Sequence, residues 1–208
     1  MDYKTETKKA YDSYPEKFDE YFGFYFDQYV QKEADNFLSK LKGKTILDLG
    51  SGTGNHAEYF QKKGFDVTCL DISEEMLKVC KNKGLKTVLM DIENLGLKEK
   101  FDGIWSYTSF LHLQKRKLEY VVPKIASVMK PHSLFFLSLI EGNGEKYEAN
   151  ERFPGVNRWF SYFTNEEIKK LFSTNFDLVY ESKTSYFSTK TNEVKYVFLN
   201  YIFKLKVI

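Results

Sequence analysis

The sequence has few residues of the kinds that build covalently or metal-linked folds. Its 208 residues include two cysteines, Cys69 and Cys80, and three histidines that do not cluster with them along the chain. Two cysteines cannot form a disulfide framework, and with scattered histidines they do not supply the four ligands of a structural zinc site. Neither a disulfide-rich protein nor a metal centre is indicated, and we assign no metal ligands.

Long hydrophobic runs are also missing. The longest apolar stretch, residues 134–140, contains Ser138 and falls far below the roughly 20 residues that span a bilayer. Residues 1–6 mix charges and lack the apolar segment of a secretory signal. We therefore expect a cytoplasmic protein without a membrane partner.

Charge of one sign is not in excess. Lys and Arg number 31 against 29 Asp and Glu, which leaves a net charge of +2. This balance gives no broad positive field for a nucleic-acid backbone, so a nucleic-acid partner is not indicated. Hydrophobic residues make up 42% and charged residues 29%, which is ordinary globular usage. The length fits a single domain over residues 1–208.

Aromatic residues, in contrast, are abundant and unevenly placed. The chain has 15 Tyr and 19 Phe, and many crowd the first thirty residues. Apolar residues at roughly helical spacing predict one or two amphipathic helices over residues 15–41, with Pro15 in the first turn. We interpret residues 1–42 as an N-terminal helical cap and residues 43–208 as the core of the domain. The aromatic segment either packs against a sheet edge or covers a ligand site.

From Lys44 onward, short apolar strands alternate with charged helical segments, which is βαβ organisation. Strands are predicted at residues 45–50, 66–72, 86–92, 101–107, 133–140, 177–185 and 193–205, and helices at 55–63, 74–83, 115–129 and 165–172. Thr164 and Glu167 form a capping box that starts the last helix. No helix separates the last two strands, so they should pair antiparallel. Residues 141–156 are predicted to form one long loop.

A glycine-rich loop follows the first strand directly. Residues 46–54 read Ile-Leu-Asp-Leu-Gly-Ser-Gly-Thr-Gly, with Gly50, Gly52 and Gly54 in Gly-x-Gly-x-Gly spacing before a helix. Glycines let the backbone approach a ligand, and the start of a helix favours an anion. Asn55 stands where a dinucleotide fingerprint has its third glycine, which disfavours NAD.

Three aspartates stand at the ends of successive strands. Asp48 ends an apolar strand, where a carboxylate needs a partner such as a cationic ligand group. Asp71 ends the second strand, about where an acid reaches ribose hydroxyls in doubly wound folds, and Asp91 ends the third, placed to accept from an exocyclic amine. Each aspartate alone could instead serve a turn or cap a helix.

These residues resemble the class I S-adenosylmethionine-dependent methyltransferases over about residues 40–205, in particular small enzymes with a generic methyltransferase domain. Residues 101–105 are similar to the family's fourth motif. The resemblance implies a doubly wound, Rossmann-like α/β fold with a seven-stranded sheet, mostly parallel with an antiparallel last strand, and S-adenosylmethionine as the cofactor. The implied cofactor-binding residues are Asp48, Gly50, Ser51, Gly52, Gly54, Asp71, Ile72, Met76, Asp91, Ile92 and Ser106.

One turn departs from the family. Residues 130–133 read Lys-Pro-His-Ser, where relatives commonly have Pro-Gly-Gly before the fifth strand. Glycine would allow a positive φ at this turn, so His132 predicts a different turn type.

Candidate residues for the acceptor side follow the fourth strand and the long loop. His112 could act as a general base or orient the acceptor, or it could pack and bind a backbone carbonyl. Tyr107 and Tyr162 are candidate walls of an acceptor pocket. Arg158 and Arg152 flank the loop and could hold an acidic substrate through a planar fork, although Arg152 fits a surface position better.

The resemblance implies methyl transfer by in-line displacement, with the acceptor held about 3–3.5 Å from the methyl carbon and water excluded. Residues 106–109 lack the Asn/Asp-Pro-Pro-Tyr/Phe signature of base-amine methylation, and neither cysteine follows a proline. A small-molecule acceptor is therefore favoured. The alternatives are RNA or protein methylation, a non-catalytic S-adenosylmethionine-binding module, and a nicotinamide-dependent reductase, which would not need Asp48 or Asp91.

Overall fold

The centre of the fold is a seven-stranded sheet. The computed structural model describes residues 2–149, 155, 157–187 and 191–207. In chain order the strands are β1 (Thr45–Leu49), β2 (Asp66–Asp71), β3 (Lys86–Leu89), β4 (Phe101–Tyr107), β5 (Met129–Ile140), β6 (Glu145–Ala149), β7 (Asn157–Ser161), β8 (Phe176–Phe187) and β9 (Val194–Leu205). The helices are α1 (Tyr3–Asp12), α2 (Pro15–Tyr25), α3 (Gln31–Lys40), α4 (Asn55–Lys62), α5 (Glu74–Asn82), α6 (Lys115–Ser127) and α7 (Asn165–Phe172), with a π-helical turn at Phe26–Val30 and 3-10 turns at Ile92–Asn94 and Phe110–His112.

The strands of the large sheet follow the order β3-β2-β1-β4-β5-β9-β8. β1 to β5 pair in parallel, and β9 lies antiparallel between β5 and β8. The predicted Rossmann-like sheet with an antiparallel last strand is therefore confirmed. The strand order reverses between β1 and β4, and in such sheets ligands bind outside the carboxyl ends of the strands at that point.

Helix α3 and the turn before it pack on the centre of the sheet. Val30, Ala34 and Phe37 are fully buried. Gly103 in β4 makes this close approach possible, because a Cβ at that position would stand 2.9 Å from the Phe37 ring. Core packing, one of the two interpretations of the aromatic segment, thus applies to its last helix.

Helices α1 and α2 lie over the carboxyl ends of the strands instead. α1 packs on β7 and α5, and α2 packs on α4 and α5. Ala10, Phe18 and Met76 form a small separate core there. Helix α1 lies outside the predicted helices, because its inward positions, Tyr3, Thr7 and Ala10, make only a weak apolar stripe.

The π-helical turn between α2 and α3 sends consecutive side chains in different directions. Tyr25 packs against Tyr186, with ring centroids 5.4 Å apart. The next residue, Phe26, packs against His56 and Tyr59 at 5.1 and 4.9 Å. Such turns are rare and are frequent at functional sites. Two neighbouring aromatic residues therefore serve different parts of the molecule.

The turn that leads into β5 differs from its prediction. β5 begins at Met129 rather than at Ser133, and His132 has φ +64°. The expected change of turn type is wrong, because His132 adopts the left-handed conformation that a glycine would take more readily.

The predicted long loop is partly a hairpin. Within residues 141–156, Glu145–Ala149 forms β6, which pairs antiparallel with β7, with Tyr147 opposite Trp159. The strand was not recognised because its side chains are mostly charged and exposed. Residues 150–154 and 156, among them Arg152, lie outside the described residues.

Helix ends match their sequence signals. Thr164 Oγ1 accepts from the Glu167 N–H at 3.2 Å, and the Glu167 carboxylate accepts from the Thr164 N–H at 2.8 Å, so the capping box is confirmed. Pro15 stands in the first turn of α2 as predicted. Among the described residues, no helix has the length and apolar composition to cross a membrane.

Candidate active site

A cavity of about 260 Å³ opens at the carboxyl ends of β1, β2 and β4, beneath α1 and α2. One side, the glycine wall, consists of Gly50, Ser51, Gly52, Thr53, Asn55, His56, Asp71, Ile72, Ser73, Met76, Asp91 and Ile92. The other side, the aromatic wall, consists of Tyr11, Tyr21, Phe22, Tyr25, Tyr107, His112, Arg158, Phe160, Tyr186, Tyr196 and Phe198. Lys4, Thr7 and Lys8 of α1 also line the cavity, and Thr108, Ser109, Leu111, Leu113 and Ile140 complete its lining.

The glycine loop presents bare backbone to this cavity. Gly52 has φ +54°, and a Cβ built there would meet nothing within 4 Å. Gly50 also has a positive φ, but a Cβ there would stand 2.3 Å from Ser109 Cβ. Gly54 does not line the cavity, because it packs towards Cys80 Sγ, 2.9 Å from its Cβ position. Each of the three glycines is therefore needed for a different structural reason, and Gly52 is the one that leaves room for a ligand.

Asp71 lies in the glycine wall and holds the loop in shape. Its Oδ2 accepts from the Gly52 N–H and its Oδ1 from the Ser73 N–H, both at 2.8 Å. Burial raises the pKa of this carboxyl above its ordinary value, while the backbone N–H groups act in the opposite direction. Each oxygen keeps further acceptor capacity for a ligand hydroxyl. The helix-cap interpretation and the ligand interpretation of Asp71 are therefore compatible.

Asp91 also accepts hydrogen bonds through both of its carboxylate oxygens. Its Oδ1 accepts from the Glu93 N–H at 2.9 Å and so caps a 3-10 turn. Its Oδ2 accepts from Lys4 Nζ at 2.6 Å, and Lys4 also pairs with Glu93 at 2.9 Å. Asp91 lines the cavity, and its ion pair with Lys4 connects it to α1.

Three predicted cofactor residues do not line the cavity. Besides Gly54, these are Asp48 and Ser106, which lie beneath the loop. Asp48 is 1% exposed, and no described residue bonds its Oδ2. Burial and the neighbouring Asp71 carboxylate raise the pKa of Asp48 to about 8, against the Ala57 N–H, which lowers it. Ser106 Oγ donates to the Leu49 carbonyl at 3.1 Å. Both residues support the loop from behind, whereas Ser51, Ile72, Met76 and Ile92 do line the cavity.

His56, at the second position of α4, is a wall residue that the sequence analysis missed. Its Nδ1 accepts from Trp105 Nε1 at 3.1 Å, which assigns the proton of the neutral ring to Nε2. Burial, with a contribution from Lys83, lowers the pKa of His56 to about 3. The ring therefore offers a neutral N–H donor. Its place directly after the glycine loop is the signal that could have identified it.

His112 lies in the aromatic wall with both ring nitrogens engaged. Nδ1 donates to the Trp159 carbonyl at 2.6 Å, so Nε2 is the acceptor of the Tyr11 hydroxyl at 2.8 Å. Burial and the Arg158 charge lower the pKa of His112 to about 3. A neutral imidazole with both nitrogens occupied orients its neighbours, and this geometry offers no free lone pair for a base.

Arg158 projects from β7 into the same wall. Its Nη1 donates to the Tyr11 hydroxyl at 2.9 Å, and its guanidinium carbon lies 5.0 Å from the centre of the Phe160 ring. The Nε of Arg158 is buried and has no hydrogen-bond partner among the described residues. Tyr11, which no sequence signal singled out, links Arg158 to His112.

The two tyrosines predicted for the acceptor pocket have different positions. Tyr107 lines the cavity and is 6% exposed, and burial raises the pKa of its hydroxyl above the ordinary value. Tyr162 does not line the cavity, because its hydroxyl donates to Glu148 within the β6–β7 hairpin.

Comparisons of sequence agree with this geometry. Residues 46–132 match the family model described as a methyltransferase domain. Malonyl-acyl-carrier-protein O-methyltransferase of Buchnera aphidicola is 31% identical over 135 residues, which are 62% of this chain and 53% of that protein. The probable S-adenosyl-L-methionine-dependent methyltransferase TehB of Haemophilus influenzae is 33% identical over 107 residues, 49% of this chain and 35% of that protein. The chain spans about half the length, or less, of the curated relatives it matches.

Solved structures share the fold. A 1,6-didemethyltoxoflavin-N1-methyltransferase of Burkholderia thailandensis, bound to 1,6-didemethyltoxoflavin and S-adenosylhomocysteine, superposes with a TM-score of 0.75 at 18% identity, covering 99% of this chain and 89% of that one. An S-adenosylmethionine-dependent methyltransferase of Clostridium acetobutylicum superposes at 0.67 with 20% identity, covering 90% and 99%.

Fold, loop and strand-end acids together define a Rossmann-like domain of the kind that holds a nucleoside-bearing cofactor at its glycine loop. The methyltransferase-domain match over residues 46–132, the curated relatives and the shared fold support the predicted class, the class I S-adenosylmethionine-dependent methyltransferases. The predicted class and its cofactor, S-adenosylmethionine, are confirmed.

Proposed function

We propose that this chain transfers a methyl group from S-adenosylmethionine to a small-molecule acceptor in the cavity between the two walls. The observation that carries the proposal is the position of Gly52, whose bare backbone borders the cavity beside Asp71 and faces a wall of aromatic side chains. When bound, S-adenosylmethionine supplies an electrophilic methyl group on a sulfonium.

The residues of the glycine wall fit the cofactor. Asp71 has acceptor capacity left for the two ribose hydroxyls, and Asp91 can accept from the adenine amine. Ile72, Met76 and Ile92 offer apolar side chains for the adenine ring. Asp48, to which we assign a supporting role, accepts from the Ala57 N–H and so holds the start of α4 behind the loop.

The aromatic wall positions the acceptor and excludes water. Its side chains come from α1, α2, β4, the 3-10 turn at Phe110–His112, β7, β8 and β9. Tyr11 and His112 form a fixed hydrogen-bonded pair, so we assign them an orienting role rather than proton abstraction. Tyr107 completes the wall. In this proposal residues 1–208 act as a single domain in which α1 and α2 are the cap.

The enclosure of the cavity favours a small molecule over RNA or a protein chain. The relatives differ in acceptor: one is named for the O-methylation of malonyl-acyl-carrier protein, another for an O-methylation in ubiquinone biosynthesis, and a structural neighbour for N1-methylation of didemethyltoxoflavin. A group carried by an acyl-carrier protein is therefore a second candidate acceptor.

Calorimetry with S-adenosylhomocysteine, NAD and ATP tests the cofactor, and we expect S-adenosylhomocysteine to bind most tightly. A screen for S-adenosylhomocysteine production against carboxylate, phenol, thiol and amine libraries then tests turnover. Tighter binding of NAD would refute the proposal. Tight binding without turnover of any acceptor would favour the non-catalytic binding module.

A further inference from the structure

The charged side chains that line the cavity differ in whether a described residue of opposite charge pairs with them. Its described carboxylates, Asp71 and Asp91, both belong to the glycine wall, and each accepts hydrogen bonds from the protein itself. Of its described cations, Lys4 pairs with Asp91, and Lys8 pairs with Asp12 at 2.5 Å. Arg158 is the exception, since no described carboxylate pairs with it.

Among the residues that the structure describes, none compensates the charge of Arg158. The phenol of Tyr11 accepts one bond, and the rings of Tyr11 and Phe160 lie 5.4 and 5.0 Å from the guanidinium carbon. Neither a phenol nor an aromatic face neutralises a cation whose Nε is removed from water. A guanidinium in such a place matches an anion with two coplanar oxygens, because its N–H groups form a fixed fork.

The space beside Arg158 is bounded by rings. Phe22, Tyr25, Phe160, Tyr186 and Phe198 all line the cavity on this side. Tyr25 lies 5.4 Å from Tyr186 and 6.2 Å from Phe198, so these three rings form one continuous surface, while Phe160 is the ring that contacts the guanidinium. Aromatic rings bury a large apolar area and prefer to stack with or meet the edge of another ring. The surface suits a flat, unsaturated body better than a flexible aliphatic chain.

We infer that the aromatic wall selects a flat aromatic acceptor that carries a carboxylate, with the carboxylate on Arg158 and the ring system against Tyr25, Phe160 and Phe198. This inference rests on the proposed function and names the substrate class for the same cavity. The other group that could bind Arg158 is the carboxylate of the cofactor's amino-acid tail. The glycine wall offers that tail its own donor in the Nε2 proton of His56.

The test is binding by calorimetry, without any need for turnover. With saturating S-adenosylhomocysteine, 2-naphthoate should bind the wild-type protein about tenfold or more tightly than its neutral counterpart 2-naphthamide, the scale of a hydrogen bond to a charged group. It should also bind more tightly than cyclohexanecarboxylate, which has the carboxylate without the aromatic ring. The comparison of acid and amide needs no variant, so it stands even if substitutions at Arg158 impair folding.

Variants then locate the effect. Arg158→Gln should abolish the preference for naphthoate over naphthamide, and Arg158→Lys should keep part of it. Arg116→Gln is the matched control, because Arg116 is an exposed residue of α6 and bonds only the neutral Gln114 among the contacts described. Arg158→Gln should leave the affinity for S-adenosylhomocysteine within about threefold of wild type, since the fork is assigned to the acceptor.

Two results would overturn the inference. The first is equal binding of acid and amide, or no binding of the aromatic acids at all. The second is a loss of S-adenosylhomocysteine affinity in Arg158→Gln without a matching loss of affinity for 5′-methylthioadenosine, which lacks the amino-acid tail. That pattern would show that Arg158 binds the carboxylate of the cofactor. Failure of S-adenosylhomocysteine to bind the wild-type protein would instead refute the proposed function, so the two failures are distinguishable.

Discussion

The glycine wall and the aromatic wall face each other across one cavity but are built in different ways. The glycine wall comes from the strand ends between Gly50 and Ile92, and its acids are held by nearby backbone N–H groups. The aromatic wall is assembled from α1, α2, β4, the 3-10 turn at Phe110–His112, β7, β8 and β9, which are spread over most of the chain. In the proposed function, the cofactor is therefore bound mainly by one local stretch of sequence, while the acceptor is bound by segments that come together only in the fold.

The strongest test of this comparison is Asp71→Ala. We expect the affinity for S-adenosylhomocysteine to fall by about 1.5–3 kcal/mol, and the free energy of unfolding by about 1–3 kcal/mol, because two backbone N–H groups lose their acceptor. Calorimetry and urea unfolding measure the two effects. Asp66→Ala, at the exposed start of the same strand, is the control and should change neither by more than about 1 kcal/mol. A loss of stability with unchanged affinity would show that the glycine wall supports the loop without binding the cofactor.

A second test uses the pH dependence of stability and concerns Asp48. Burial keeps this acid protonated in the folded chain up to about pH 8, whereas it ionises near pH 4 when unfolded. The folded state then binds more protons in that window, so wild-type stability falls as pH rises through it. Asp48→Asn has no proton to lose, so its free energy of unfolding relative to wild type should rise by about 2–3 kcal/mol from about pH 5.5 to about 7.5.

Asp102→Asn is the control for that pH series. Asp102 is partly buried, yet hydrogen bonds from Thr45 and Lys130 hold its pKa near 2. Its folded and unfolded forms are both ionised between about pH 5.5 and 7.5, so the difference from wild type should not change with pH there. A pH-independent difference for Asp48→Asn as well would contradict the assignment of a buried, protonated acid beneath the loop.

On the aromatic wall, Tyr11→Phe should leave the affinity for S-adenosylhomocysteine within about 0.5 kcal/mol of wild type. The free energy of unfolding should fall by about 1 kcal/mol, because His112 loses its donor and Arg158 its acceptor. Tyr120→Phe, at an exposed position of α6, should have no effect on either quantity. A tenfold loss of cofactor affinity in Tyr11→Phe would show that the aromatic wall contributes to cofactor binding as well.

The smallest effect is expected from Lys4→Gln, which removes the ion pair that joins α1 to the glycine wall. Partly exposed pairs of this kind contribute about 1 kcal/mol or less, so global stability should hardly change. Hydrogen exchange in residues 3–12 should become faster, while β1 and β4 keep their protection. Lys62→Gln, which removes an exposed pair with Glu58 on α4, is the matched control. Unchanged exchange in α1 would mean that packing on β7 alone holds the helix.

The sequence predicted the glycine wall better than the aromatic wall. The alternation of strands and helices, the loop at Gly50–Gly54 and the acids Asp71 and Asp91 were recognised because each signal lies within a few residues of chain. Tyr11 and His56 were missed, since a single tyrosine or histidine has no local pattern and gains its meaning from Arg158 or Trp105. Strand β6 was missed because its exposed, charged side chains show no alternation. The local periodicity of apolar residues indicates which side chains a sheet buries. It does not indicate which residues from distant segments of the chain contact each other.

The π-helical turn at Phe26–Val30 fixes the phase between two helices. One residue in an α-helix corresponds to about 100° of rotation, so removing a single residue from this turn would rewind it to α-helical geometry and swing α2 around its axis by that angle. Tyr21, Phe22 and Tyr25 would leave the cavity together, while α3 stayed seated on the sheet. In the proposed function, a one-residue insertion or deletion that alters no residue of the pocket can therefore change the shape of the acceptor pocket.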